Sequence, residues 1–213
     1  MSISRRLARP ALPGVFACLL LVAACAGPGA SPASPSGQAT TGPTASDVAE
    51  LDQAFIDMMV PHHQSAVEMA NIALDRADHP ELRSLAQDII AAQEPEIEQL
   101  RQWRQSWFGS SETPPMEEMP LLPGMEMPGM EGHSMEGTMD MTTDIDELRT
   151  ADPFDLAFID AMIEHHESAI AAAEIIKGAT QRQELLDLAD AIIEAQQREI
   201  DQMEAWRAEW YPD

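Results

Sequence analysis

Residues 52–107 and 155–210 align with each other at a constant offset of 103 and no gap, and about 26 of the 56 aligned positions are identical. A fixed-offset internal repeat means that one supersecondary unit is used twice. Whatever fold forms must therefore accommodate two copies of the same element pair.

Each copy reads as two helices. In the first, Phe55, Met59, Ala66, Ala70 and Ala73 recur at helical spacing, with Ile56 and Val67 alongside; the second copy has Phe158, Met162, Ala169, Ala173 and Ile176. Asp152-Pro153 reads as a helix start, an N-cap followed by proline in the first turn, with Asp155 just inside. A second helix starts near Pro80, runs through Leu82, Leu85, Ile89, Ile97, Leu100 and Trp103, and stops at Gly109. Its copy carries Leu185, Leu188, Ile192, Ile200, Met203 and Trp206 and ends near Trp210-Tyr211-Pro212. No strand alternation is present. Four amphipathic helices joined as two short-looped hairpins predict an all-α four-helix bundle with an approximate two-fold axis. Aromatics make up only 5% of the chain, so close packing through small residues is expected. Pro61 and Pro95 interrupt the first copy, where the second has Glu164 and Arg198, and predict local kinks.

Inside these patterns sit "VPHHQSA" and "IEHHESA". His62, His63, His165 and His166 fall on or beside the apolar stripes, so all four imidazoles are expected in a small core. That is unfavourable unless each has a partner. Gln93 and Glu96 recur as Gln196 and Glu199 on the inner face of the second helices, and Glu96 and Glu199 are candidate partners. A buried His/Glu layer either holds a metal or forms a polar layer that sets bundle register. Met59 precedes His62 by three residues and Met162 precedes His165 by three, placing thioether and imidazole on one face. This soft donor set suits Cu(I); the same methionines could serve as core filler. No histidine has glutamate three residues before it, so the di-iron pattern Glu-x-x-His is absent.

The segment between the copies sharpens the metal reading. Residues 114–141 hold eight of the 14 methionines, with Pro and Gly that prevent a regular helix. Core packing does not explain them, and exposed methionine is prone to oxidation. Met125, Met127, Met130 and Met135, with His133 among them, are the candidate loop ligands for Cu(I); Cu(II) or zinc would be open to the histidines alone.

The N-terminus reads as a targeting segment. Arg5, Arg6 and Arg9 precede a short apolar run ending in Leu21-Val22-Ala23-Ala24-Cys25, which resembles a bacterial lipoprotein signal. Residues 1–24 would be removed, Cys25 lipidated, and residues 25–46 would form a flexible tether of small, Pro and polar residues. The folded part then spans residues 47–213: repeat one 52–108, a Met-rich linker 112–143 and repeat two 152–211. An extracytoplasmic, membrane-anchored location follows. Cleavage would take Cys18 away and leave no partner for a disulfide. The chain carries net charge −25, and −28 after cleavage, which argues against nucleic acid as partner.

The residues Phe55/Met59/His62/His63/Ala66 with Gln93/Glu96/Ile97/Leu100/Trp103, and their copies Phe158/Met162/His165/His166/Ala169 with Gln196/Glu199/Ile200/Met203/Trp206, resemble the family known as domain of unknown function 305. Leu100 departs from the family's methionine at that place. The resemblance implies a ferritin-like four-helix bundle, secreted or envelope-located, with copper-binding members. The leading expectation is a lipid-anchored copper-binding protein that buffers, sequesters or transfers copper, with a copper-handling protein as a possible partner. The alternatives are a ferritin-like metal oxidase and a metal-free interaction module of the envelope. No catalytic residue is assigned, and no enzyme activity is expected.

Overall fold

The computed structural model describes residues 44–115, 118, 122 and 142–212. Residues 1–43, read above as a signal, the lipidation site Cys25 and a tether, lie outside the described residues. So do Met125, Met127, Met130, His133 and Met135.

Four long helices form two hairpins, α1 (Ala45–Arg76) with α2 (Pro80–Phe108), and α4 (Phe154–Ala179) with α5 (Gln183–Trp210), and a short α3 (Thr142–Thr150) precedes the second. Among the described residues there is no strand. The chain is all-α. No helix among the described residues is long and apolar enough to cross a membrane.

Local chemistry sets the helix ends. α1 begins at Ala45, inside the stretch read as tether, because Thr44 and Asp47 form a capping box: Asp47 N–H donates to Thr44 Oγ1 and Thr44 N–H to Asp47 Oδ2. The backbone contact holds the Asp47 carboxyl below its ordinary range. α2 ends at Gly109 in the left-handed conformation, φ 84°, where only glycine is unstrained. Both α1 and α2 continue as helix through Pro61 and Pro95.

The start of α4 differs from expectation. Pro153, not Asp152, occupies the N-cap, and no side chain caps it. Asp155 instead turns its buried carboxylate to the other hairpin. There it accepts from Asp78 N–H and His79 N–H, both at 2.9 Å, and from His79 Nδ1–H at 2.7 Å. It thus satisfies donors at the start of α2. The repeat-related Asp52 pairs with Arg182 Nε at 3.0 Å, at the start of α5. Each hairpin thereby clamps the turn of the other.

The α3 helix was not legible from periodicity. It buries Ile145 and Leu148, while Arg76 donates to the carbonyls of Leu148 and Ala151, both at 2.8 Å.

The core divides in two. One cluster joins Phe55, Ile56, Met59 and Val60 to Ile97, Leu100, Ala172, Ala173, Ile176 and Leu185. The other joins Ala70, Ala73, Leu82 and Ile89 to Phe154, Phe158, Ile159, Met162 and Met203. The first half of α1 meets the second half of α4, and the reverse, so these two helices run antiparallel. Each fully buried large side chain contributes about 1.5–3 kcal/mol. The histidine pairs on α1 and α4 lie where the two clusters meet.

Candidate metal centre

His62, His63 and His166 are completely buried and His165 is 3% exposed. The His62 and His165 rings face each other with centroids 3.8 Å apart. Each dipeptide adds its second ring 6.2–6.3 Å from the first. The structure therefore gathers all four helix histidines, read from two distant motifs, into one layer.

Two different partners hold them. His63 Nε2–H donates to Glu96 Oε2 at 2.9 Å, and His166 Nε2–H donates to Glu199 Oε2 at 2.6 Å. Glu96 and Glu199 come from α2 and α5. Their side chains are 26% and 18% exposed, so they stand at the rim of the layer rather than fully inside it. They orient imidazoles from there. The inner rings have neutral partners: His62 Nε2 lies 2.6 Å from Ser168 Oγ, and His165 Nε2 lies 2.6 Å from Ser65 Oγ.

Every one of the four imidazoles thus has Nε2 engaged by oxygen. Every one also has a buried Nδ1 with no hydrogen-bond partner. A neutral imidazole that is a donor at Nε2 carries a lone pair at Nδ1. The layer consequently leaves an unpartnered Nδ1 lone pair on each ring that is neutral and protonated at Nε2. Desolvation drives the inner imidazoles, His62 and His165, well below the ordinary value near 6.5, and neighbouring histidines push the same way. They are neutral near pH 7.

Met59 and Met162 are fully buried one turn before the inner histidines. They belong to opposite core clusters, one on each side of the layer. Among the described residues, no three His, Cys, Asp or Glu side chains are grouped as a metal site. The donors gathered here are imidazole nitrogens and thioethers, a soft set. Gln93 and Gln196 are buried, and each leaves its Oε1 without a partner.

Sequence reasoning missed three features. Ser65 and Ser168, three residues after His62 and His165, hold the inner rings of the opposite helix; only their repetition at the offset of 103 marked them. His79, stacked on Trp210 at 3.7 Å, aligns with Arg182 in the second copy, so the repeat gave it no signal.

The sequence profile of a family described as "Domain of unknown function (DUF305)" matches residues 52–207. Among solved structures, CopM in its Cu(I)-bound form is 41% identical with a TM-score of 0.59, over 75% of this chain and 97% of that one. CopM in its Cu(II)-bound form is 44% identical over the same shares, also at 0.59. A DUF305 protein from Streptomyces coelicolor is 31% identical at a TM-score of 0.61, over 75% and 93%. An uncharacterized protein of Acanthamoeba polyphaga mimivirus is 35% identical over 49 residues, which spans 23% of this chain and 32% of that protein.

Proposed function

The chain belongs to the DUF305 family, and from that premise we propose that it is an extracytoplasmic copper-binding protein with Cu(I) as its cargo. The observation that carries this reading is the layer of four buried imidazoles, each with an unpartnered Nδ1. Buried polar atoms in native proteins normally have partners, so four such atoms in one layer call for a ligand. Neutral nitrogen and thioether donors fit a soft monovalent ion and fit hard cations poorly. CopM, 41% identical, is solved with Cu(I) and with silver.

In this reading His62, His63, His165 and His166 supply nitrogen, and Met59 and Met162 are within one helical turn to supply sulfur. Glu96 and Glu199 orient the outer rings through Nε2. The segment with Met125, Met127, Met130, His133 and Met135 adds thioethers for capture, and lipidation of Cys25 holds the protein at the membrane. The role is buffering, sequestration or transfer rather than catalysis.

Anaerobic competition against a Cu(I) chelator tests the proposal, with the quadruple change of His62, His63, His165 and His166 to alanine beside a deletion of residues 114–141. Loss of tight binding in the first identifies the helical layer as the holding site. Loss only in the second moves it to the segment between the repeats. Equal, weak binding by all three proteins removes the copper reading and leaves the histidines as a register-setting polar layer. Incorporation of labelled fatty acid, abolished by Cys25→Ala, tests the anchor.

A further inference from the structure

Each inner histidine meets a serine of the opposite helix, where each outer one meets a carboxylate. A serine hydroxyl has one proton. Ser65 Oγ donates it to the carbonyl of His62 at 2.7 Å, and Ser168 Oγ donates it to the carbonyl of His165 at 2.7 Å. With that proton committed, each oxygen meets the neighbouring imidazole as an acceptor only. His62 Nε2 and His165 Nε2 must then be the protonated nitrogens. Four hydrogen bonds close a cycle across α1 and α4: Ser65 to the His62 carbonyl, the His62 ring to Ser168, Ser168 to the His165 carbonyl, and the His165 ring to Ser65. Ser65 and Ser168 are 0% and 2% exposed, so bulk water does not compete for these bonds.

We infer that Ser65 and Ser168 are positioning residues that set the tautomer of the opposite helix's inner histidine and so keep both Nδ1 atoms as donors toward a soft metal ion. The consequence for copper rests on the function proposed above; the tautomer assignment does not. An imidazole without its serine loses the hydroxyl acceptor that holds Nε2–H. Its proton can then move to Nδ1, where it blocks coordination. The device uses a neutral oxygen where the outer rings have a carboxylate, so it orients the inner rings without placing an anion beside them.

The test is histidine nitrogen NMR on the metal-free full chain, read with Cu(I) competition. The wild-type protein is expected to show both inner rings protonated only at Nε2. Ser168→Ala should disturb the tautomer of His62, on the other helix, and leave His165 as it was. Ser65→Ala should do the reverse. This crossed pattern is one that a general loss of stability does not produce. The Ser→Thr changes keep a hydroxyl and should restore the wild-type tautomers. Cu(I) affinity should fall about 10–100-fold in the double alanine variant, the usual effect of removing a group that orients a ligand. Nδ1–H on either inner ring of the wild type overturns the inference. So do alanine variants with unchanged tautomers, or changed tautomers with unchanged Cu(I) affinity. A crossed tautomer pattern in a wild-type chain that binds no Cu(I) supports the tautomer assignment and defeats the copper reading alone.

Discussion

The two repeats are alike at their middles and unlike at their ends. At the middle, His62 and Ser168 meet at 2.6 Å and so do His165 and Ser65, while each outer histidine bonds the glutamate 33 residues after it. At the ends, the same positions hold different chemistry. Asp52 faces Arg182, whose guanidinium lies 4.0 Å over the ring of Trp107, and Asp52 Oδ1 is buried without a partner. Asp155 faces His79, stacked on Trp210, and both its oxygens are engaged. A turn can be closed by any planar N–H donor that reaches an aspartate and an indole. Four imidazoles packed across an axis have far fewer solutions, because each needs a partner of particular reach and proton content.

The largest effect that would sharpen this contrast is that of pH on the metal-free protein. The inner histidines have pKa values held well below 6.5 when folded, so the unfolded chain binds the extra protons. Their contribution is present above about pH 6.5 and is lost as pH falls towards their folded pKa values. Each can lower stability by up to about 1.4 kcal/mol per pH unit in that window. Denaturant melts from pH 7.5 down to 5 should show this slope, and changing His62 and His165 to non-titrating residues should flatten it. A flat profile in the parent would place the inner pair in a wetter environment than its burial indicates.

The symmetry of the middle can be broken one side at a time. Glu96→Ala and Glu199→Ala should each weaken Cu(I) binding by about 10–100-fold, and by similar factors. The corresponding Gln variants retain an acceptor for Nε2–H and should lose less. Strongly unequal losses in the competition assay would mean that the two outer histidines do not serve equivalent roles.

The ends should respond unequally. Asp155→Ala strands two backbone donors at the start of α2 and should cost about 2–3 kcal/mol. Asp52→Ala removes one part-exposed ion pair and relieves an unpartnered buried oxygen, so about 1 kcal/mol or less is expected. Urea midpoints compare them, and equal losses would remove the distinction drawn here.

The smallest effect is the most diagnostic for the thioethers. Met59→Leu and Met162→Leu nearly conserve volume and should change stability by less than about 1.5 kcal/mol. A fall in Cu(I) affinity at unchanged stability would mark the sulfur as a donor. Unchanged affinity would leave both methionines as packing.

Much of the fold is legible in the chain because its signals are local. Helical spacing of Phe55, Met59 and Ala66, proline at the start of α2 and Gly109 at its end are read from neighbours within a few turns. The repeat then doubles every such signal. Thr44 and Asp47 extend α1 into a stretch whose composition resembles a tether, since a capping box outweighs average composition at a helix start. The α3 helix escaped notice because nine residues hold too few turns for a period, and its two apolar residues acquire meaning only against the bundle end.

What the sequence determined by itself is the duplicated hairpin, its helical spans and the presence of four histidines on faces that must be buried. Side-chain type and spacing suffice for that. The tertiary structure alone decided which nitrogen of each imidazole remains open, that glutamates serve the outer rings and serines the inner ones, and that each aspartate clamps the other hairpin's turn. The partners in the inner cycle are 100 and 106 residues apart, and those in the aspartate clamps 76 to 130 apart. Such contacts have no local signature. They exist only once α1 and α4 lie antiparallel.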